Sequence, residues 1–284
     1  MTTVSAERRI DAHQHFWIHS PKVHTWMTRR QGMEPLMRDF LPRDLAPLLR
    51  GSMIDGCVAV QAASTTHETR WLLDLASAHS FILGVVGWAD LAAPDCADQL
   101  AALPERSRLK GLRHLVEDEP DPHFLARSDI VAGIACLQQA GLVFDLLLRL
   151  DQCEAALKLL AHLPQQRFVL DHCAKPPVRS GALEPWATQL RALARHQNLV
   201  CKLSGLVTEA EWRTWDEREF SPFTEVVLEA FGPQRLMLGS DWPVCTLAAP
   251  YGRVFHLMEP LLQQLSYAER AAIRGGTAAQ VYAL

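Results

Sequence analysis

Ile10-Asp11-Ala12-His13-Gln14-His15-Phe16-Trp17 is a short apolar run that closes on two histidines one residue apart. Strand side chains alternate faces, so His13 and His15 project to one side, where two imidazoles can converge on one metal ion or one substrate oxygen. Alone, a His-x-His pair is more often a pair of surface histidines. Its weight comes from its place at the end of the first of a series of similar runs.

Working outward, β-rich runs recur at residues 9–15, 56–61, 82–89, 109–116, 143–149, 168–173, 200–204 and 236–241. Stretches with helical spacing lie between them, at 68–78, 130–140, 153–161, 186–196 and 221–231, with Gly141, Pro164 and Gly232 as stops. Strand–helix alternation repeated eight times predicts parallel pairing with right-handed crossovers, and eight strands close a barrel. The expectation is one (β/α)8 TIM barrel domain over residues 1–284. An open doubly wound sheet is disfavoured because no glycine-rich nucleotide turn follows the first strand. The first crossover, residues 16–55, is long and carries Trp17, Trp26, Pro21, Pro35 and Pro42 before a short helix at 43–50. An insertion there lies at the carboxyl face of the barrel, so it is expected to cap the pocket.

The composition is that of an ordinary globular protein, with 49% hydrophobic and 21% charged residues. A formal charge of −4 offers no basic footprint for nucleic acid or anionic membrane. Met1 to Arg9 is polar, without the apolar centre of a secretory signal, and no segment runs ~18 apolar residues without a charge, so the expectation is a cytoplasmic protein. The seven cysteines are scattered and never spaced C-x-x-C, which points to reduced, buried thiols. Cys173, beside a site histidine, reads as filler. A homodimer is the ordinary expectation for such a chain.

In a barrel the carboxyl ends of the strands share one mouth. The fourth run carries Lys110-Gly111-Leu112-Arg113-His114, the fifth ends in Arg149, the sixth in Asp171-His172-Cys173-Ala174-Lys175-Pro176, and the eighth in Gly239-Ser240-Asp241-Trp242-Pro243. Ionisable groups after strands of Val, Leu and Ile are costly unless paired or used. One inward focus explains His13, His15, His172 and Asp241 together.

With these motifs and Cys201-Lys202-Leu203-Ser204-Gly205-Leu206, in this order along nearly the whole chain, the sequence resembles the amidohydrolase-2 family, in the branch of the sugar-acid lactonases that act on L-fucono- and L-rhamnono-lactones. The resemblance implies a (β/α)8 barrel with His13 and His15 after strand 1, His172 after strand 6 and Asp241 after strand 8 around the reaction centre. The wider superfamily often bridges two metals with a strand-4 lysine or glutamate and uses a strand-5 histidine. Here Lys110 falls at the amino end of its strand and the fifth run ends in Leu148-Arg149, so a binuclear centre is not expected. The resemblance allows at most one weakly held divalent ion, zinc or manganese, on His13, His15 and Asp241 with His172 adjacent, and it also allows work without a metal.

The expected reaction is hydrolysis of a small-molecule sugar lactone. Asp241 takes a proton from water and returns it to the ring oxygen, while His172, His114, Arg113 or the ion stabilises the oxyanion. No Gly-x-Ser-x-Gly elbow is present, in keeping with a path that needs no acyl-enzyme. Arg113, Trp26 and Trp242 are the expected substrate contacts, with Gln61, Arg149, Trp17 and Trp88 as further candidates. Two rival readings are a zinc-dependent decarboxylase of an unsaturated or aromatic acid, which needs a carboxylate clamp from Arg113 and Arg149, and a sugar-acid binding barrel without turnover.

Overall fold

The computed structural model describes residues 7–28 and 31–284. The polar amino terminus read above lies mostly outside the described residues, as do Arg29 and Arg30 of the insertion. Eight parallel strands pair in the order in which they occur in the chain: β1 (Ile10–Gln14), β2 (Gly56–Val60), β3 (Ile82–Gly87), β4 (Leu109–His114), β5 (Val143–Leu146), β6 (Phe168–Leu170), β7 (Leu199–Leu203) and β8 (Leu236–Leu238). A parallel bridge between Gln14 and Trp242 brings the last strand back to the first, giving a nearly closed (β/α)8 barrel. Helices α1 (Pro42–Gly51), α2 (Thr66–Ala78), α3 (Cys96–Ala101), α4 (Ser128–Ala140), α5 (Cys153–His162), α6 (Trp186–Ala194), α7 (Ser221–Phe231) and α8 (Tyr251–His256) follow the strands in turn.

Local chemistry explains the boundaries. Thr65 caps α2 by accepting from the Glu68 amide, prolines open α1 and α7, and α4 and α7 stop at Gly141 and Gly232. Each strand offers two faces. Cys57, Val85, Leu112, Phe144, Phe168, Leu199 and Leu236 pack outward against the helices in one large apolar cluster. Val58, Val60, Val86, Val143, Val169 and Met237 turn inward into a second cluster. Ala278 and Tyr282, from the carboxyl-terminal segment, plug the lower end of that interior.

The interior changes character one strand pleat higher. Two residues beyond Gly111, Val143, Val169 and Val200 stand Arg113, Asp145, Asp171 and Lys202, each at most 3% exposed. Two cations and two anions thus form a neutral layer between the apolar plug and the mouth. Of the described residues in the long first crossover, Trp26 and Met33 lie at the mouth. Trp17 and Phe40 exchange backbone hydrogen bonds at 3.0 and 2.9 Å. Among the described residues no helix is long and apolar enough to cross a membrane.

Candidate active site

The site begins with an irregularity in β1. Asp11 pairs with Cys57 and Gln14 with Ala59, so three steps along β1 span two steps along β2. This bulge re-aims the strand. Ile10 and Ala12 face the interior, Asp11 and Gln14 face outward, and His13 and His15 nevertheless turn in. His13 and His15 do share a face, and the bulge is what makes that face the interior one.

His172 and Asp241 arrive on strained backbone. His172, Cys173, Ala174 and Lys175 all have left-handed φ of 53–55°, and Asp241 has φ 58°. Non-glycine residues adopt this conformation at about 1–2 kcal/mol each, so the surrounding packing enforces it. Two glycines make room. A Cβ on Gly205, itself at φ +66°, would lie 2.6 Å from His172 Nδ1, and a Cβ on Gly239 would lie 2.6 Å from His13 Cβ. Any side chain at either position displaces a site imidazole.

The resulting constellation is compact and buried. Asp241 Oδ1 lies 3.4 Å from His15 Nε2 and 3.9 Å from the Nε2 atoms of both His13 and His172. His13 and His15 meet through their Nε2 atoms at 3.1 Å. The outer nitrogens are anchored, with His15 Nδ1 2.8 Å from the Val60 carbonyl and His172 Nδ1 2.8 Å from Ser204 Oγ. Anchoring one ring nitrogen fixes the direction of the other. Burial pushes the His13 and His172 imidazoles below their ordinary range, so both are neutral at neutral pH. Burial raises Asp241, but His172, His15 and Arg113 outweigh it and hold the carboxyl below its ordinary value, so it is ionised.

Beneath this ring lies the charged layer. Arg113 donates from Nη1 to Asp171 Oδ2 at 3.0 Å and from Nε and Nη2 to Gln61 Oε1 at 3.1 and 2.9 Å. Lys202 Nζ donates to Asp145 Oδ2 at 2.6 Å and to His13 Nδ1 at 3.1 Å. Tyr282 donates its hydroxyl to Asp145 at 2.8 Å. Burial would raise Asp171, yet Lys202, His13 and Arg113 hold it well below the carboxylate range.

The cavity above the ring measures about 120 Å³ and is walled by loops from seven strands, including His15, Arg113, His172 and Asp241 at its floor and Trp26 and Trp212 at its sides. A Lys175–Glu117 ion pair spans the loops after β6 and β4 at its edge. Of the residues singled out in the sequence, the structure brings together His13, His15, His172, Asp241, Arg113 and Trp26.

Several others stand apart. His114 has both ring nitrogens engaged, with Glu119 Oε1 at 2.6 Å and Trp88 Nε1 at 3.2 Å, stacks on Phe124, and does not line the cavity. Trp242 is buried between Phe16 and Phe40 as core. Arg149 points away, paired with Asp151 and with the backbone of the β4 loop. Trp17 is core, Trp88 serves His114, and Gln61 serves Arg113. Lys110 bonds the Ala283 carbonyl at the far end of the barrel. The buried Cys173 thiol donates to the Lys202 carbonyl.

Sequence reasoning missed Asp145 and Lys202 as site components, and Trp212 as a wall. The available signal was the alternation Val143-x-Asp145 and Val200-x-Lys202, a charge in register with inward valines.

His13, His172 and Asp241 each present a ligand atom within 4.8 Å of the others, a nitrogen and oxygen donor set suited to a divalent ion such as zinc. The fit extends to the next layer. Asp171 Oδ1 is buried without a well-directed hydrogen bond, 3.3 Å from His13 Nδ1, where the carboxylate partner of a metal-bound imidazole belongs.

Residues 10–284 match the amidohydrolase family profile. The L-fucono-1,5-lactonase of Burkholderia multivorans is 43% identical, with 97% of this chain and 96% of that protein aligned. The L-fucono-1,5-lactonase of Burkholderia ambifaria is 39% identical over 86% of this chain and 83% of that protein. The crystal structure of a Burkholderia multivorans amidohydrolase with bound zinc superposes with a TM-score of 0.93 at 43% identity, covering 98% of this chain and 99% of that one. A profile that matches from the first strand to the last residue, over a barrel whose mouth gathers three histidines and an aspartate, makes this chain a member of the amidohydrolase family.

Proposed function

We propose that this protein hydrolyses a sugar-acid lactone of the L-fucono- or L-rhamnono-lactone type to the open acid. The observation that carries the reading is an ionised Asp241 within 3.4–3.9 Å of three imidazoles, two of which, those of His15 and His172, line one small cavity with it. The relatives named as L-fucono-1,5-lactonases, and an L-rhamnono-gamma-lactonase of Scheffersomyces stipitis at 28% identity over half the chain, support the substrate class.

Asp241 accepts a proton from water as the water oxygen attacks the lactone carbonyl, and it returns that proton to the ring oxygen as the C–O bond breaks. His172, its Nδ1 held by Ser204, faces the same space with Nε2 and steadies the charge that develops on the carbonyl oxygen. Arg113 adds a fixed positive charge at the floor. Trp26 and Trp212 give apolar faces for the C–H side of a sugar ring. A divalent ion on His13, His172 and Asp241, with His15 alongside, supplies Lewis-acid polarisation of a carbonyl oxygen when bound.

The decarboxylase reading lacks its clamp. Arg149 is outside the cavity, and Nε and Nη2 of Arg113 are committed to Gln61 while Nη1 pairs with Asp171. The test is a panel of aldonolactones followed by acid release, with and without chelator, on the wild type and on Asp241→Asn. Turnover of an L-configured lactone is expected, and Asp241→Asn should lower kcat by about 10²–10⁴-fold. Near wild-type turnover in that variant removes the assigned proton carrier. Binding without turnover across the panel would favour a sugar-acid binding barrel.

A further inference from the structure

We propose that Lys202 sets the affinity of this site for a divalent ion, holding it low through its contact with His13. This goes beyond the lactonase reading and does not depend on which substrate is turned over.

Lys202 is fully buried and its ammonium carries three protons. Its neighbours are Asp145 Oδ2 at 2.6 Å, Asp171 Oδ1 at 3.0 Å and His13 Nδ1 at 3.1 Å. An ammonium has no acceptor to offer, so at that contact His13 Nδ1 is the acceptor and the imidazole proton sits on Nε2. There it meets His15 Nε2 at 3.1 Å, which is free to accept because His15 Nδ1 donates to the Val60 carbonyl. One chain of hydrogen bonds thus runs Lys202 to His13 to His15 to Val60; the contact it leaves opposed is Arg113 Nη1, a donor 3.3 Å from His13 Nε2 that also donates to Asp171 Oδ2 at 3.0 Å.

That arrangement competes with an ion. His13 can offer Nε2 as a ligand only if its proton moves to Nδ1, where the under-used Asp171 Oδ1 waits at 3.3 Å. Lys202 then loses its acceptor on His13 and faces an N–H. Its positive charge, with that of Arg113 Nη1 at 3.3 Å from His13 Nε2, repels the incoming dication through a dry interior. Lys202 therefore acts on the ion through His13, as a positioning residue and a fixed charge. It touches neither the cavity nor the candidate ligands His172 and Asp241 in the contacts above.

The experiment measures the zinc dissociation constant by competition with a chromophoric chelator. The variants are Lys202→Met combined with Asp145→Asn, which removes one charge of each sign and leaves the layer neutral, and Asp145→Asn alone, which keeps the ammonium. The double variant should bind zinc about tenfold or more tightly than wild type, while the single variant should stay within about threefold. Equal or weaker binding in a folded double variant overturns the proposal. A measurement on the wild type decides the matter if that variant does not fold. Long-range proton–nitrogen spectra of histidine-labelled protein, with the His13 signal identified by its loss in His13→Asn, should show the proton on Nε2 in the metal-free state and on Nδ1 with zinc. A metal-free His13 already carrying its proton on Nδ1 refutes the mechanism. Both readouts are independent of lactone turnover, so they separate failure of this inference from failure of the lactonase reading.

Discussion

Glu68 shows how a single buried carboxyl can govern the site without touching the cavity. It is 7% exposed on α2, and its Oε2 accepts from the Ala62 and Ala63 amides at 3.0 and 2.8 Å. That turn carries the Gln61 carbonyl and amide oxygens that hold Arg113, and the Ala62 carbonyl that takes the Trp26 indole N–H at 3.0 Å. Burial pushes the Glu68 carboxyl up to about 7 from 4.5, against the two backbone donors and Arg113. The folded state therefore holds this proton more tightly than the unfolded chain does. The stabilisation is complete below about pH 4.5 and is lost as pH rises through about 7. Glu68→Gln keeps an oxygen for the two amides and has nothing to ionise. Relative to wild type it should gain on the order of 3 kcal/mol between those two pH limits, read from urea unfolding at each. A difference that does not change with pH would mean that Glu68 titrates normally.

At the scale of elements, the carboxyl-terminal segment is a structural part of the site. The hydroxyl of Tyr282 donates to Asp145, which binds Lys202, which binds His13, so the plug at the bottom of the barrel reaches the histidine cluster through three contacts. Tyr282→Phe preserves the ring and removes the donor, leaving Asp145 with Lys202 as its remaining partner among these contacts. A loss of about 1–3 kcal/mol is expected in urea unfolding, with a smaller effect on turnover because Lys202 keeps His13 in place. The strands themselves are legible in the sequence, because each is a compact run of Val, Leu and Ile between helical stretches. Their ends are less so. Runs 168–173 and 236–241 read as strand throughout, whereas β6 and β8 stop at Leu170 and Leu238, and the residues that follow include His172–Lys175 and Asp241 with left-handed φ. The identities of Cys, Ala and Lys give no signal of that conformation, and those of His and Asp only a weak one, since tertiary packing imposes it. The convergence of His13, His15, His172 and Asp241 is nonetheless visible because they sit at or just beyond strand ends. Asp145 and Lys202 lie inside apolar strands, where a charge is seen only once the inward register is known.

For the whole molecule, the critical place is the seam where the barrel closes. β8 is three residues long, and beyond it the first and last strands are joined by hydrogen bonds from the His15 amide to the Trp242 carbonyl at 2.7 Å and from the Asp241 amide to the His13 carbonyl at 2.8 Å. Asp11, turned outward by the bulge in β1, staples this seam. Its Oδ1 accepts from the Ser240 amide at 2.8 Å and the His13 amide at 3.2 Å, and its Oδ2 accepts from Ser240 Oγ at 2.6 Å and Tyr251 Oη at 3.0 Å. One carboxylate therefore fixes the residues before Asp241, the backbone of His13 and the start of α8. Asn at position 11 offers one oxygen and an NH2 group, which places a donor against two of four donors in a buried space. Asp11→Asn should lose about 3 kcal/mol or more in urea unfolding. Turnover should fall by about 10²-fold, because Asp241 and His13 lose their common register and a shift near 1 Å is enough for that. The two effects separate by temperature: cooling restores the folded fraction but not the geometry, so kcat per folded molecule should stay low. Wild-type kcat in the folded fraction would show that the seam holds the barrel together without aligning the groups proposed to carry the reaction.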